Sequence, residues 1–158
     1  MRRLRREVPA AVRALDVGRR LAWGLTQDGT AIVATSDALH VADESLAWHE
    51  VEKAVWRPPY LVVTRASEVE GSGRTLTLAL AEDDQLAETV RARVTSSVGW
   101  SDRRRLVPSG HVRLVGRRLP GQDRLRWQAV FADAADALDP AKRDQAEQLL
   151  AELRRTIG

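Results

Sequence analysis

Short β-type runs separated by turn residues fill residues 19–81 and constrain the fold more than any other feature. The runs are RRLAWGLT, TAIVAT, ALHVA, YLVVTRA and TLTLALA, the last of which alternates threonine or alanine with leucine. An Asp-Gly pair at 28–29 and a Ser-Asp pair at 36–37 separate the first three runs, as in tight hairpins. LAWHEVEKAVW fits a helix or a strand, but two prolines at 58–59 exclude a long helix there. Six or seven such strands predict a small antiparallel barrel or sandwich.

Helical patterns interrupt and end this series of strands. Within 82–98, Leu86, Val90 and Val94 repeat every four residues, with acids first and arginines later, as in an amphipathic helix aligned with its dipole. We expect this helix to cap the sheet. The remaining predicted elements are a short helix at about 9–15, strands at about 99–107, 111–118 and 124–131, and a last helix that Asp139 caps and Pro140 begins.

Together these elements predict an α+β fold. An antiparallel β meander forms a barrel or sandwich capped by a helix, and a three-stranded extension and a C-terminal helix follow. A chain of 158 residues fills one hydrophobic core and is too short for two ordinary domains. We therefore expect a single domain over 1–158. Residues 9–98 would hold the short helix, the meander and the cap helix, and residues 99–158 the extension and the last helix.

Composition excludes several classes of protein. The chain has no cysteine, which removes disulfides, thiolate nucleophiles and the cysteine-containing zinc and iron–sulfur sites. Its longest apolar runs are about five residues, whereas a membrane span needs about 20. We therefore expect a soluble, cytoplasmic protein without a transmembrane segment. The net charge of +3 is modest but unevenly distributed, because residues 99–130 hold eight basic and two acidic residues while residues 21–98 are acidic overall.

Four segments carry a resemblance to a known family. GRRLAWGLTQDGTAIVATSDALHV, AWHEVEKAVW, RARVTSSV and RRLPGQDRLRW resemble a pattern found in small actinobacterial proteins without an assigned activity, from about residue 8 onward. A strand meander followed by a helix is also similar to pleckstrin-homology-like domains. The resemblance implies a pleckstrin-homology-like (PH-like) fold and provides no catalytic residue. The three strands and the helix after residue 98 depart from a minimal barrel of that kind.

No combination of residues predicts catalysis, a metal or a cofactor. The three histidines, His40, His49 and His111, are not spaced to present two imidazoles on one face. His49 adjoins Glu50, which makes an acid–base pair the functional alternative to a solvated polar face, but neighbouring strand residues point to opposite faces. The acids at 82–84 suit the first turn of a helix better than a metal site. We expect most of the five tryptophans to lie in the core.

Arginines at alternate positions of the last three predicted strands form the candidate binding site. Strand periodicity places several of them on one face, opposite valine, leucine and tryptophan. The candidate residues are Arg103, Arg105, Arg113, Arg117, Arg124 and Arg126. Opposed like charges destabilise a sheet, so this face implies counter-charges. These come either from within, through the acidic middle of the chain or Glu147 and Glu152 of the last helix, or from an anionic partner.

The leading functional hypothesis is a non-enzymatic binding or interaction module. Its partner would be a protein with acidic patches or an anionic lipid, recognised through the arginine face. Nucleic-acid binding is the alternative from the same arginines, supported by the basic N-terminal tail and by Trp100 and Trp127 beside them. A third hypothesis is a small-molecule site in the mouth of the barrel, which rests on the general tendency of barrels to hold ligands.

Overall fold

Seven strands form one curled antiparallel sheet in the computed structural model, which describes residues 7–157. The strands are β1 (Ala22–Thr26), β2 (Ala31–Ala34), β3 (Ala38–Val41), β4 (Glu44–Ala47), β5 (Val51–Arg57), β6 (Tyr60–Arg65) and β7 (Thr75–Asp84). Their order across the sheet is β4-β3-β2-β1-β7-β6-β5. A 3-10 turn at Trp48–Glu50 joins β4 to β5. The predicted meander is confirmed, while the prediction for the basic tail falls on residues 1–6, outside the described residues.

Two helices cover the two sides of this sheet. The inner side is filled by an apolar cluster that includes Ile32, Leu39 and Leu61, and α2 (Leu86–Ser97) adds Leu86 and Val90 to it. The predicted cap helix is therefore confirmed. The short helix α1 (Ala10–Arg13) lies on the opposite side of β1 and β2, where its buried valine joins a separate small cluster. Both faces of these two strands are thus buried.

The acidic residues at 82–84 lie at the end of β7 and not in the first turn of α2, where the sequence placed them. Asp83 still serves the helix, because its Oδ1 accepts hydrogen bonds from the backbone N–H groups of Leu86 at 2.6 Å and Ala87 at 3.3 Å. Its carboxylate therefore caps the helix from the preceding strand. No group of three or more His, Asp or Glu residues between 7 and 157 could hold a metal ion.

A second antiparallel sheet follows α2 and confirms the predicted extension. It contains β8 (Val98–Arg105), β9 (His111–Arg118) and β10 (Leu125–Phe131), in the order β10-β9-β8. Two helices end the chain, α3 (Ala134–Leu138), which the sequence did not predict, and α4 (Pro140–Thr156). Asp139 caps α4 as predicted, since its Oδ1 accepts from the N–H of Ala141 at 3.0 Å. Leu150 and Leu153 of α4 pack in an apolar cluster with Leu114 and Trp127.

The two sheets are joined at separate points along the chain. α2 leads directly into β8, and Val69 forms a parallel bridge with Phe131 of β10. Beside that bridge, the Phe131 N–H donates to Glu68 O at 2.7 Å, and the Glu70 N–H donates to Phe131 O at 2.9 Å. The chain is thus mixed α+β, as predicted, whereas its description as a single domain stays a prediction. Among residues 7–157, the structure contains no apolar helix of the length that a bilayer crossing requires.

Candidate functional site

The register of the second sheet brings the predicted arginines onto one face. Arg103 of β8 lies opposite Arg113 of β9, and Arg117 of β9 lies opposite Arg126 of β10. Directly opposed residues share a face, and so do residues two apart on one strand, which adds Arg105. We call these five residues the arginine face. This arrangement confirms the prediction, made from the alternation of arginine and apolar residues along the strands, that several arginines share one face.

The other side of the same sheet is apolar and carries α4. Val112, Leu114 and Phe131 pack there against Leu150 and neighbouring residues of that helix. The helix therefore lies across the sheet from the arginines. The expectation that Glu147 and Glu152 of the last helix could cover the arginine face is wrong for this reason.

No carboxylate neutralises the arginine face by direct contact within residues 7–157. The ion pairs there are Arg65–Glu44, Arg104–Asp102 and Lys142–Asp136, each at 2.6 Å, and Arg143–Glu68 at 3.1 Å. Arg113 has a neutral partner, since its Nε donates to Ser101 Oγ at 2.7 Å. Within residues 7–157, the acidic middle of the chain thus supplies no carboxylate in contact with these guanidinium groups.

Exposure divides the six predicted arginines into three groups. Arg103, Arg105 and Arg126 are exposed and Arg113 is half-buried. Arg124 is exposed in the turn before β10, because the strand begins at Leu125, so its predicted place on the strand was wrong. Arg117 is only 3% exposed, which corrects the expectation that it points outward into solvent.

Arg117 lines a cavity of about 250 Å³ between the two sheets. The first sheet contributes the 3-10 turn before β5 and the end of β6, and the second contributes β9 and β10. The lining residues are His49, Glu50, Arg65, Ala66, Arg117, Arg126, Trp127 and Gln128. We call this cavity the inter-sheet pocket. Arg126 belongs to both the pocket and the arginine face, so the pocket adjoins one end of that face.

Four buried nitrogen atoms on three residues of the inter-sheet pocket have no hydrogen-bond partner within residues 7–157. They are His49 Nδ1, Arg117 Nε, Arg117 Nη1 and Trp127 Nε1, and no other buried side-chain nitrogen or oxygen of the described residues shares this property. Guanidinium and indole nitrogens are donors only. A buried donor without an acceptor costs about 1–3 kcal/mol. Arg117 therefore brings to the pocket two buried donors without partners in the described chain.

Burial and neighbouring charges shift two titrating groups in this pocket. Burial lowers the pKa of His49 below its ordinary value of 6.5; the charge of Glu50 opposes this shift, and Arg126 and Arg117 add to it. Burial also lowers the pKa of Arg117, as does the charge of Arg113, while Glu52 acts in the opposite direction. Both directions are those of cationic groups held in a desolvated, positively charged environment. The charge of an anion bound in the pocket would raise the pKa of both groups.

The tryptophans do not form a surface for stacking nucleic-acid bases. Trp100 and Trp127 lie on the apolar side of the second sheet, where their rings meet edge to face with centroids 5.5 Å apart. Trp48 is also in the core, and its Nε1 donates to Thr35 O at 3.0 Å. The predicted core role of the tryptophans is thus confirmed, and the two that adjoin arginines in sequence lie across the sheet from the arginine face.

Other cavities lack the features of the inter-sheet pocket. A larger groove of about 750 Å³ runs between the end of α2 and the β9–β10 turn, and no described side chain along it has a buried polar atom without a partner. Trp127 also borders a cavity of about 170 Å³ beside α4, but His49 and Arg117 do not. The interior of the seven-stranded sheet is filled with apolar side chains, which leaves the predicted small-molecule site in the barrel mouth without support.

Sequence reasoning missed His49 and Trp127 as members of this site. His49 was read as part of a solvated polar surface, and Trp127 as a core residue or a stacking partner. No signal in the sequence links His49 to Arg117, since they are far apart in the chain and meet only through the packing of the two sheets. Comparison of the chain with family models, curated proteins and solved structures finds no match in any of the three.

Proposed function

We propose that the protein is a non-enzymatic binding module that recognises an acidic segment of a partner protein through the arginine face. One observation carries the proposal: five guanidinium groups share this face, and none makes an ion pair with a carboxylate of residues 7–157. All but the buried Arg117 are at least partly open to a partner. Opposed like charges destabilise a sheet, and a partner's carboxylates would remove that cost. Guanidinium groups also suit carboxylates, because their fork of donors matches both oxygens. In this proposal the protein acts in the cytoplasm.

The residues around the arginine face favour a protein as its partner over a lipid or a nucleic acid. Membrane-surface binding usually combines basic residues with apolar side chains that enter the bilayer. The large exposed apolar residues within 7–157 all lie outside β8, β9 and β10; they are Leu21, Tyr60, Val107, Leu138 and Ile157. Binding of single-stranded nucleic acid uses aromatic side chains beside a basic groove, and Trp100 and Trp127 lie on the other side of the sheet.

We also propose that residues 9–98 form a PH-like barrel of the actinobacterial family that the sequence resembles. The strand order, with β1 beside β7, and the helix that directly follows β7 support this relationship. On this view the arginine face belongs to the extension after residue 98.

A charge-matched pair of variants tests the binding function. One replaces Arg103, Arg105 and Arg113 by serine, which removes three charges from the face and leaves the inter-sheet pocket unchanged. The control replaces three exposed helical arginines far from the face, and these are Arg91, Arg154 and Arg155. Binding to an immobilised polyglutamate peptide should fall about 3- to 150-fold for the face variant, because each of three exposed pairs contributes about 0.2–1 kcal/mol. The control should bind like the wild type.

Two results would contradict the proposal. Equal losses in both variants would mean that binding follows net charge and not the arginine face. Tighter binding to phosphatidylserine vesicles or to single-stranded DNA than to the acidic peptide, at matched ionic strength, would replace the proposed partner by a lipid or a nucleic acid. Circular dichroism of both variants checks that the fold is retained.

A further inference from the structure

We infer that the inter-sheet pocket is a binding site for a single carboxylate group. The inference rests on the proposed function, since the pocket adjoins the arginine face, and it adds the chemical group that this recess would accept. A carboxylate in the pocket would anchor an acidic ligand whose remaining charges lie along the face.

The donors around the pocket require an acceptor. Arg117 is 3% exposed, and its Nε and Nη1 have no partner within residues 7–157. His49 Nδ1 and Trp127 Nε1 also have no partner there, and both residues line the same cavity. The Trp127 ring packs on the apolar side of the sheet, and His49 Nδ1 donates in only one tautomer, so Arg117 supplies the donors of the site. An ionised carboxylate is an acceptor without donors, and its two oxygens offer about four lone-pair sites. The two unpartnered guanidinium nitrogens of Arg117 are therefore matched by the two oxygens of one carboxylate.

The charge around the pocket fits one negative charge better than two. Arg117 and Arg126 lie opposite each other and neither is ion-paired within the described chain, while the third lining arginine, Arg65, is paired with Glu44 at 2.6 Å. Glu50 also lines the cavity. The unpaired lining charges thus amount to two guanidinium groups and one carboxylate. A dianion such as phosphate would meet the repulsion of Glu50, whereas a monoanion leaves the pocket close to neutral.

The size of the pocket suits a group attached to a larger molecule. A cavity of about 250 Å³ is larger than a carboxylate alone and leaves room for the carbon atoms that carry it. Because Arg126 belongs to both the pocket and the arginine face, a ligand chain that extends out of the pocket would lie along that face. The carboxylate could belong to an aspartate or glutamate side chain or to the end of a polypeptide, and the two sources share the same chemistry.

The indole N–H of Trp127, a residue that lines the pocket, reports on its occupancy. In a ¹H–¹⁵N NMR spectrum, propionate should shift the Trp127 indole signal in a saturable way, because Trp127 lines the pocket and a charge bound there changes the electric field at this N–H. The Trp48 indole is the internal control, since it already donates to Thr35 O at 3.0 Å and should not move. Propionamide, which has the same shape without the charge, should cause no shift. Trp127→Phe identifies the signal.

Variants and further ligands decide the outcome. Arg117→Met should abolish the propionate shift, while Arg103→Met, on the face outside the pocket, should leave it unchanged. Acetyl-glutamate amide and acetyl-glutamine with a free carboxyl end carry one carboxylate each and distinguish a side-chain source from a terminal one. No saturable shift with any carboxylate, or a tighter response to inorganic phosphate, would overturn the inference.

Failure here is distinct from failure of the proposed function. If polyglutamate binding depends on Arg103, Arg105 and Arg113 but the Trp127 signal never moves, the face binds acidic partners without using the pocket. If the signal moves and polyglutamate binding is unaffected by those three arginines, the pocket binds a small carboxylate and the face proposal is wrong.

Discussion

Replacing Arg117 by methionine should stabilise the ligand-free protein, against the usual effect of a mutation in a buried region. The guanidinium is almost fully buried and two of its nitrogens have no acceptor within residues 7–157. Methionine keeps an unbranched stem of similar length and has no donors. Exchanging a buried charged group for an apolar one of similar volume is often neutral or stabilising. Arg117→Met therefore removes the cost of burying two donors without partners, and neither of these nitrogens has a hydrogen bond within the described chain to lose.

The size of the effect follows from the two unpaired donors. Each costs about 1–3 kcal/mol, which gives about 2–6 kcal/mol for the pair. The variant also loses the attraction to Glu52 and leaves part of the guanidinium volume unfilled, and we take about 1–2 kcal/mol for these losses. The free energy of unfolding should then rise by about 2 kcal/mol. With a urea dependence of about 2 kcal/mol per molar, the midpoint of unfolding should rise by about 1 M.

Urea titration followed by tryptophan fluorescence measures this shift. Arg113→Met is the matched control, because Arg113 is half-buried on the same strand and its Nε has Ser101 as a partner. Its free energy of unfolding should stay within about 0.5 kcal/mol of the wild-type value. A lower midpoint for Arg117→Met at an unchanged slope would refute the reasoning, because it would mean that the buried guanidinium stabilises the folded protein.

Four further variants test His49, the Lys142–Asp136 ion pair and Gly24. Arg126→Gln should raise the pKa of His49, measured by NMR titration of the imidazole, because one of the nearby positive charges is removed. Since burial holds this pKa below 6.5 in the folded state, the unfolded state binds more protons as the pH falls below about 6.5, and stability decreases there. His49→Gln should weaken that decrease in urea titrations at several pH values, and an unchanged decrease would assign it to another group. Lys142→Met breaks a 2.6 Å ion pair with Asp136 whose side chains are 10% and 13% exposed, and should lower the free energy of unfolding by about 3 kcal/mol; a loss below about 1 kcal/mol would contradict the pairing. Gly24→Ala would bring a new Cβ to 2.6 Å from Leu86 Cδ2, at the start of α2. The free energy of unfolding, measured by thermal unfolding, should fall by about 1–3 kcal/mol. An unchanged stability would argue against this close contact.

The arginine face could be predicted because strand alternation is a local property. Once 111–118 and the following segment were assigned as strands, the positions of Arg113 and Arg126 on one face followed from a period of two. The burial of Arg117 could not be predicted in this way, because its cover comes from the turn that contains His49, on the other sheet. Burial of a strand residue depends on what packs against the strand, and sequence periodicity does not show which distant element that is.

The boundary errors have a similar origin. Arg124 was placed on a strand that begins one residue later, and the acids at 82–84 were placed in a helix that begins after them. Charged residues at the end of a strand and in the first turn of a helix have the same local pattern. The pairing of β7 with β1, in which Asp83 lies opposite Gly24, keeps the acids at 82–84 in the strand and out of the helix. This pairing joins distant parts of the chain and leaves no local signal.

The inter-sheet pocket also has a consequence for folding kinetics. Its walls come from both sheets, so it exists only after the two sheets have formed and docked. The second sheet consists of neighbouring strands with short connections and can form early, whereas the β1–β7 pairing must first close a long loop. A ligand held by walls that are completed late should slow unfolding and leave the rate of folding nearly unchanged. A ligand bound in the pocket would then lengthen the lifetime of the folded protein.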